Sequence, residues 1–362
     1  MYFCNNTASI CHIFFKFNFI SPVHAQHSAL TRHAAPFYTY SMRDLILHFL
    51  STIDEPFFSI LTGIQNFLHL CFAEKEKPVS YGSENPDKTF YIITNLGGGI
   101  LCQYDAVLGY LGRAIRKGWV PVIDLRKTDN DVFSDPERPE ENPWNYYFGQ
   151  PEPYTLEEVY RSKNVIHCAH LRMYYTRLNR KEMQRRCVLS RRIPFVPDMQ
   201  RFLQEESAKL LQGLGSDVAA VFYRGTDYNP APGWDLVGHP VIAGIEQFCD
   251  IVAAKLDEWK ASGIFFMTEE QQALEYFARR FPKARYVEKE RFGSNFKAGV
   301  GIPYQQLEHT SRYQNNKLYL LDVYICAQCQ YMIGPLTNGF RTALNWNGGG
   351  FKDFHVIDLG NR

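Results

Sequence analysis

Short apolar runs alternate with longer amphipathic stretches in two series, one starting at Tyr91 and the other after Gly213, and few folds accommodate that pattern. In the first series Tyr91–Asn95, Trp119–Leu125 and Asn164–Cys168 read as strands, with Ile100–Lys117 as a helix after a glycine turn. In the second, strands are predicted at Val218–Tyr223, Ile264–Met267, Ala284–Val287, Tyr331–Gly334 and Phe354–Ile357. Helices are predicted between them near Gly244–Lys260, Glu269–Phe281, Lys317–Gln328 and Gly339–Trp346. Each return to a parallel strand needs a crossover, and helical segments of about 10–15 residues supply it. The expected class is therefore α/β, with two parallel-sheet domains at 85–213 and 214–362 facing one another across a cleft, after an N-terminal extension at 1–84.

That extension differs from the rest of the chain. Leu45, Ile46, Phe49, Leu50, Ile53, Phe57, Ile60, Leu61 and Ile64 recur at helical spacing, which predicts one or two amphipathic helices broken at Pro56 and packed on the body as a lid. Their polar face carries Asp44, Asp54 and Glu55 against Arg43, not the basic face of a membrane-surface helix. The apolar run Ile10–Ile20 contains Lys16 and Asn18 and is too short for a bilayer, which takes about 20 apolar residues. No Lys or Arg precedes that run as a signal peptide would require.

With 39 Lys and Arg against 38 Asp and Glu, no global field draws the chain to nucleic acid. The 9 cysteines show no disulfide framework, which predicts free thiols and a cytoplasmic setting. Cys326 and Cys329 form a CxxC, but no second ligand pair follows, so packed helix cysteines are expected and no metal site.

Ligands of open α/β sheets lie beyond the carboxyl ends of strands, so the residues leaving each strand carry the functional signal. Gly97, Gly98 and Gly99 lack β-carbons and let backbone amides approach an anion at a helix start. Arg224, followed by Gly225-Thr226-Asp227, presents a planar fork that suits a diphosphate, or alternatively an ion pair with Asp227. Thr337 and Asn338 precede a helix, where they serve a phosphate oxygen or simply cap the helix. Asp322 lies in an apolar helix, where a carboxylate is either exposed or has a partner such as the N–H edge of guanine.

Taken together, Val221-Phe222-Tyr223-Arg224-Gly225-Thr226-Asp227-Tyr228, then Phe266-Met267-Thr268-Glu269, then Leu321-Asp322 through Tyr331-Met332-Ile333-Gly334 to Thr337-Asn338-Gly339, resemble the three C-terminal motifs of GDP-fucose fucosyltransferases. The likeness is to the α-1,6 and protein O-fucosyltransferase-like members and covers 214–362, with the Gly97 turn loosely included. It implies a GT-B-like architecture of two Rossmann-like domains and an inverting transferase that needs no metal or other cofactor. Its partners would be a nucleotide-sugar donor and a glycan or lipid-linked acceptor. By the same resemblance Arg224 grips the β-phosphate of GDP-fucose, Asp322 reads guanine, Thr337 and Asn338 touch phosphate, and Glu269 matches the acid after the second motif.

This sequence also departs from the motifs. Phe222 stands at the family's histidine, Gly225 at its second arginine, and no acid matches its proposed base within 229–232, which leaves Asp235 and His239 as candidates for that role.

Other readings compete. A non-catalytic carbohydrate- or nucleotide-binding protein would use the same fold. The Gly97-x-Gly99 turn with Asp124 at the next strand end resembles part of a dinucleotide fingerprint and would suit an NAD(P)-dependent oxidoreductase, although Cys102 replaces the third glycine. Asp129-Asn130-Asp131 mimics a metal-binding DxD but lies among turn residues. Arg177, Arg180, Lys181, Arg185, Arg186, Arg191 and Arg192 form a basic stretch, read either as a solvated helix face or as a contact with anionic membrane. Trp144, Tyr146, Tyr147 and Phe148 lie in the long loop 126–153 and are expected to anchor it to the body.

Overall fold

The computed structural model describes residues 76–94, 98–126, 138, 140–168, 180–228 and 239–360. The predicted helices between Met42 and Phe72, Gly97, the 129–131 motif, Arg177 and Asp235 lie outside the described residues.

Two parallel sheets organise the chain. The first has β1 (Phe90–Ile93), β2 (Val120–Ile123) and β3 (Val165–His167) in the order β2-β1-β3. β1 reaches β2 through α1 (Ile100–Lys117), which Gly118 ends in a left-handed conformation at φ 68°. That cap returns its N–H to the last-turn carbonyls, and Arg116 and Lys117 complement the helix dipole there. A short α2 (Leu156–Val159) opens on a Thr155–Glu158 capping box just before β3.

Two helices then lead to the second sheet: α3 (Arg180–Ser190) and α4 (Pro197–Leu211). This sheet holds β4 (Val218–Phe222), β5 (Gly263–Met267), β6 (Tyr331–Gly334) and β7 (Asp353–Val356), in the order β5-β4-β6-β7. Its crossovers use α5 (Ile245–Trp259), α6 (Gln271–Arg280), α7 (Arg312–Gln328) and α8 (Asn338–Asn347). Every strand pair in both sheets is parallel.

Strand alternation sorts the side chains into layers. Phe90 and Ile92 face outward with Val122, Val159 and Val165, and Val221 and Phe266 face outward with Phe248 and Phe277. The inward residues Tyr91, Ile93, Ala220, Phe222, Phe265 and Met267 all belong to one continuous core with Tyr104, Trp144, Leu320 and Phe340. Both sheets thus drain into the same apolar interior. Trp346 Nε1 of α8 donates to Tyr104 Oη of α1 at 2.9 Å and ties the halves within it.

Two expectations change. Residues 284–287 form a single parallel bridge from Arg285 to Phe265 rather than a strand. Pairing stops because the Arg291 guanidinium takes the next carbonyls, Val287 at 2.6 Å and Lys289 at 3.0 Å. The basic stretch is bound into the protein along much of its length. Arg185 and Arg186 pair with Glu182, Arg186 also with buried Asp105, and Arg192 with Glu152.

The loop aromatics Trp144, Tyr146, Tyr147 and Phe148 are buried, as expected of anchors. Cys326 and Cys329 are buried free thiols. No described helix is long and apolar enough to cross a membrane.

The order β5-β4-β6-β7 places a topological switch between β4 and β6, where an open sheet parts its loops to opposite sides. Gly334 closes β6 beside Phe222, and a β-carbon there would collide with the Phe222 carbonyl. Gly334→Ala is expected to cost about 1–3 kcal/mol through overpacking, read as a lower urea midpoint at unchanged slope.

Candidate functional site

β4 is apolar and wholly buried, so its register is set by packing on both faces and its end is held rigidly. Tyr223 still bonds to Met267, and the chain then leaves the sheet at Arg224. Gly225 must be small because a β-carbon would strike the Glu270 carboxylate. That carboxylate accepts the Thr226 N–H at 3.0 Å and holds Thr226 in a left-handed conformation at φ 48°. Such strain in a β-branched residue persists only where its surroundings impose it. Here it turns the 3-10 segment Thr226–Tyr228 back, so that Asp227 meets Arg224 with Nη2 3.0 Å from Oδ1.

The ion-pair reading of Arg224 is thus realised, but through one nitrogen. Asp227 Oδ2 also accepts the Ile302 N–H at 3.0 Å, and neighbouring Pro303 abuts the glycine turn before α1. A β-carbon on Gly99 would lie 2.8 Å from Pro303 Cγ. Gly98, at φ 83°, and Gly99, the N-cap of α1, therefore stand near the Asp227 turn. The Tyr228 ring covers Arg224 with its centroid 5.4 Å from the guanidinium carbon, and burial pushes the Tyr228 phenol up to about 12. Largely buried Arg224 stays charged: burial is the largest single effect and opposes the charge, but Asp227, Tyr319, Tyr228 and Glu269 together outweigh it and raise the pKa.

Beneath this turn lies a second ionic group. The Lys289 ammonium pairs with Glu269 and stands 2.7 Å from Asp322 Oδ2, with Lys289 1% and Asp322 0% exposed at the side chain. Burial and the nearby Glu269 push Asp322 up to about 6 even against the lysine, since two carboxylates share one ammonium. Its Oδ1 has no hydrogen-bond partner among the described residues. The Tyr319 ring lies over Lys289 at 5.7 Å. Glu269 and Asp322 thus share one buried ammonium, and Glu269 lies in the field of Arg224.

Past β6, Thr337 caps α8 by accepting the Phe340 N–H at 3.4 Å, so its hydroxyl is engaged as a cap, while Asn338 is partly exposed. Gly339 is required by the crowding of Phe222 and Tyr319, each 2.8 Å from a β-carbon there. His239 is exposed, with its ring edge-on to Tyr228 at 5.2 Å.

In the first half, Asp124 is taken by Arg126 at 2.9 Å and Tyr160 at 2.9 Å, which removes the free acceptor that a dinucleotide ribose would need. Among the described residues no group of three His, Cys, Asp or Glu converges as a metal-holding set.

The structure thus brings together Gly98, Gly99, Arg224, Asp227, Glu269, Asp322 and His239 around one strand end, with Thr337 and Asn338 on the loop after its neighbour β6. Tyr228, Tyr319 and Lys289 complete the group; the sequence reading had Tyr228 only as the end of a motif, without a role, and missed the other two. Lys289 sits in a charged run that looks like surface, and Tyr319 looks like core.

No protein-family model matches the chain, and neither does any curated protein. Among solved structures it is similar to the fucosyltransferase NodZ from Bradyrhizobium, at 16% identity and a TM-score of 0.47, over 71% of this chain and 92% of that one. For NodZ α-1,6-fucosyltransferase soaked with GDP-fucose the identity is 14% and the TM-score 0.45, over 76% and 100%. For POFUT1 in complex with GDP they are 9% and 0.46, over 75% and 99%.

A raised acid pKa in the folded state stabilises the fold below the unfolded pKa of 3.8 and ceases to do so as pH rises through about 6. Relative to Asp322→Asn, the wild type is expected to lose on the order of 2–3 kcal/mol between about pH 4 and 6.5 and then level off. Urea denaturation of both proteins across that range checks it, and a flat difference would remove the titration from Asp322. Lys289→Met, which leaves two buried carboxylates unpaired, is expected to cost about 3–5 kcal/mol in the same assay near neutral pH.

Proposed function

We propose that the chain is a glycosyltransferase that moves a sugar, L-fucose from GDP-fucose, onto a hydroxyl of a glycan or glycoconjugate, with inversion. The observation that carries this reading is Arg224, the first residue beyond a buried strand at the switch point, with Nη2 alone engaged by Asp227. Among the described residues its Nε and Nη1 donors have no acceptor and stay available for an oxyanion. The motif resemblance of 214–362 supports the choice of donor.

In the reaction the bond between the sugar C1 and the β-phosphate oxygen breaks, and its electron pair stays on the phosphate. The acceptor oxygen bonds to C1 from the opposite face and gives up its proton. Charge therefore grows on the departing diphosphate, and a pre-placed guanidinium in a dry site lowers that barrier without reorganisation. Asp227 orients Arg224 and tempers its charge. His239, exposed and edge-on to the same tyrosine that covers Arg224, is the described candidate to receive the acceptor proton, beside Asp235.

The buried pairing of Asp322 with Lys289 gives that carboxylate a structural duty in the ligand-free protein. Its Oδ1 is the oxygen left over for a guanine N–H, so the donor base is tested first. In a thermal-shift panel of GDP, UDP, ADP and NADH, GDP alone is expected to raise the midpoint, since a ligand bound only by the native state stabilises it. A shift with NADH alone would replace the transferase reading by the oxidoreductase one. A GDP shift with no transfer or hydrolysis of GDP-fucose would leave a binding protein. Arg224→Ala is expected to lower turnover by about 10²–10³ with the fold intact, measured as GDP release.

A further inference from the structure

The basic stretch at α3 is only partly engaged inside the protein, and what is left of it meets the end of α1. Helix α1 carries one acid, Asp105, and helix α3 one, Glu182. Arg186 takes Asp105, and Arg185 and Arg186 share Glu182. Both acids are thus committed. Lys181, Arg116 and Lys117 are nonetheless exposed, and the Arg185 side chain is 38% exposed even while paired. Among the described residues no hydrogen bond or ion pair engages Arg116 or Lys117.

Gly112 is where the two helices meet. A β-carbon there would lie 3.1 Å from Leu189 Cδ1, 3.5 Å from Arg116 Nη1 and 3.7 Å from Arg185 Nη2. Two guanidiniums therefore converge on one crossing although like charges repel, and Arg185 Nε is buried there with no hydrogen-bond partner among the described residues.

Helical spacing extends this crossing into a surface. On α1, Ile115 and Arg116 follow Gly112 at three and four residues; on α3, Lys181, Arg185 and Val188 recur at four and three. Each helix thus turns one stripe toward the crossing, and each stripe sets an aliphatic side chain among cations. Val188 is 60% exposed and Ile115 37%. Single exposed aliphatics are common on any protein. Here both border the same cationic cluster. A soluble polyanion would neutralise the charge and leave the aliphatics in water, whereas a bilayer with anionic headgroups satisfies both, with phosphates at the cations and the acyl boundary at the aliphatics.

We propose that the last turn of α1 and the flank of α3 form a docking surface for an anionic lipid bilayer. Arg116, Lys117, Lys181 and Arg185 meet the headgroups, and Ile115 and Val188 reach beneath them. The surface is independent of the donor reading. The 18 residues of α1 separate it by roughly 25 Å from the glycine turn at the other end of the helix, so docking stays clear of Gly98 and Gly99.

Flotation of the full chain with vesicles of phosphatidylcholine alone, and of phosphatidylcholine with phosphatidylserine, tests the proposal. Wild type is expected to bind only the vesicles containing phosphatidylserine, and less at high salt. Each cation near such a surface contributes about fivefold, so the double variant Arg116→Gln with Lys117→Gln should weaken binding by about tenfold or more. Val188→Asp should weaken it by about tenfold, because it replaces an inserting side chain with a repelled charge. Melting temperatures should match wild type, since all three positions are exposed. Any rise in midpoint given by GDP should be the same in every variant.

Equal binding to both kinds of vesicle would overturn the surface, and so would undiminished binding by the double variant. If soluble polyglutamate binds as tightly as the vesicles and Val188→Asp changes neither, the patch takes an acidic protein and the bilayer reading falls. Vesicle binding lost in both variants, with the response to GDP unaltered, is the result expected. A wild type that binds vesicles but shows no response to GDP would sink the donor reading and leave the surface standing.

Discussion

Asp227 is the joint on which the site depends. Its two oxygens answer Arg224 from the end of β4 and the Ile302 amide from a distant turn, and that turn abuts the glycines that open α1. One carboxylate thereby holds a guanidinium in place, fixes a loop and brings the first half of the chain against the second. The geometry that allows this is strained, since Thr226 is bent to φ 48° and Glu270 restrains it. Strain kept at a strand end, where any relaxation would swing Arg224 away, fits a position selected for ligand contact rather than for stability.

Below that joint the charges are arranged in tiers. Lys289 binds Glu269 and Asp322, and Arg291 spends its donors on the Thr268, Val287 and Lys289 carbonyls, so it lends positive charge without consuming a carboxylate. Such a floor is expensive to desolvate and contributes little net stability. What it supplies is direction: with Glu269 and Asp322 held by Lys289, Arg224 has Asp227 as its one ion-pair partner among the described residues.

Much of this was legible in the residues. The helix over Ile100–Lys117 emerged with its predicted bounds because an amphipathic face and a closing glycine agree on both ends. Strand ends also marked the residues that converge, since parallel topology forces its loops to one edge. Other features were hidden. The helix over Pro197–Leu211 has only Met199, Leu203 and Ser207 buried, a stripe too thin to stand out from its polar neighbours. The run at 284–287 has strand composition, yet the carbonyl of Val287 goes to Arg291, a side-chain choice that no apolar pattern encodes. Asp322 was read as either exposed or partnered, but its partner could not be named because Lys289 lies far off in sequence.

The shared interior has a consequence for motion. Side chains from both sheets interleave in one apolar mass, and Tyr104 and Trp346 stitch across it. Swinging one half away from the other would bare that mass to water, so wide hinge opening is closed to this molecule. Traffic in and out must therefore pass through rearranged side chains and strand-end loops, and heating should dismantle both halves in a single cooperative step.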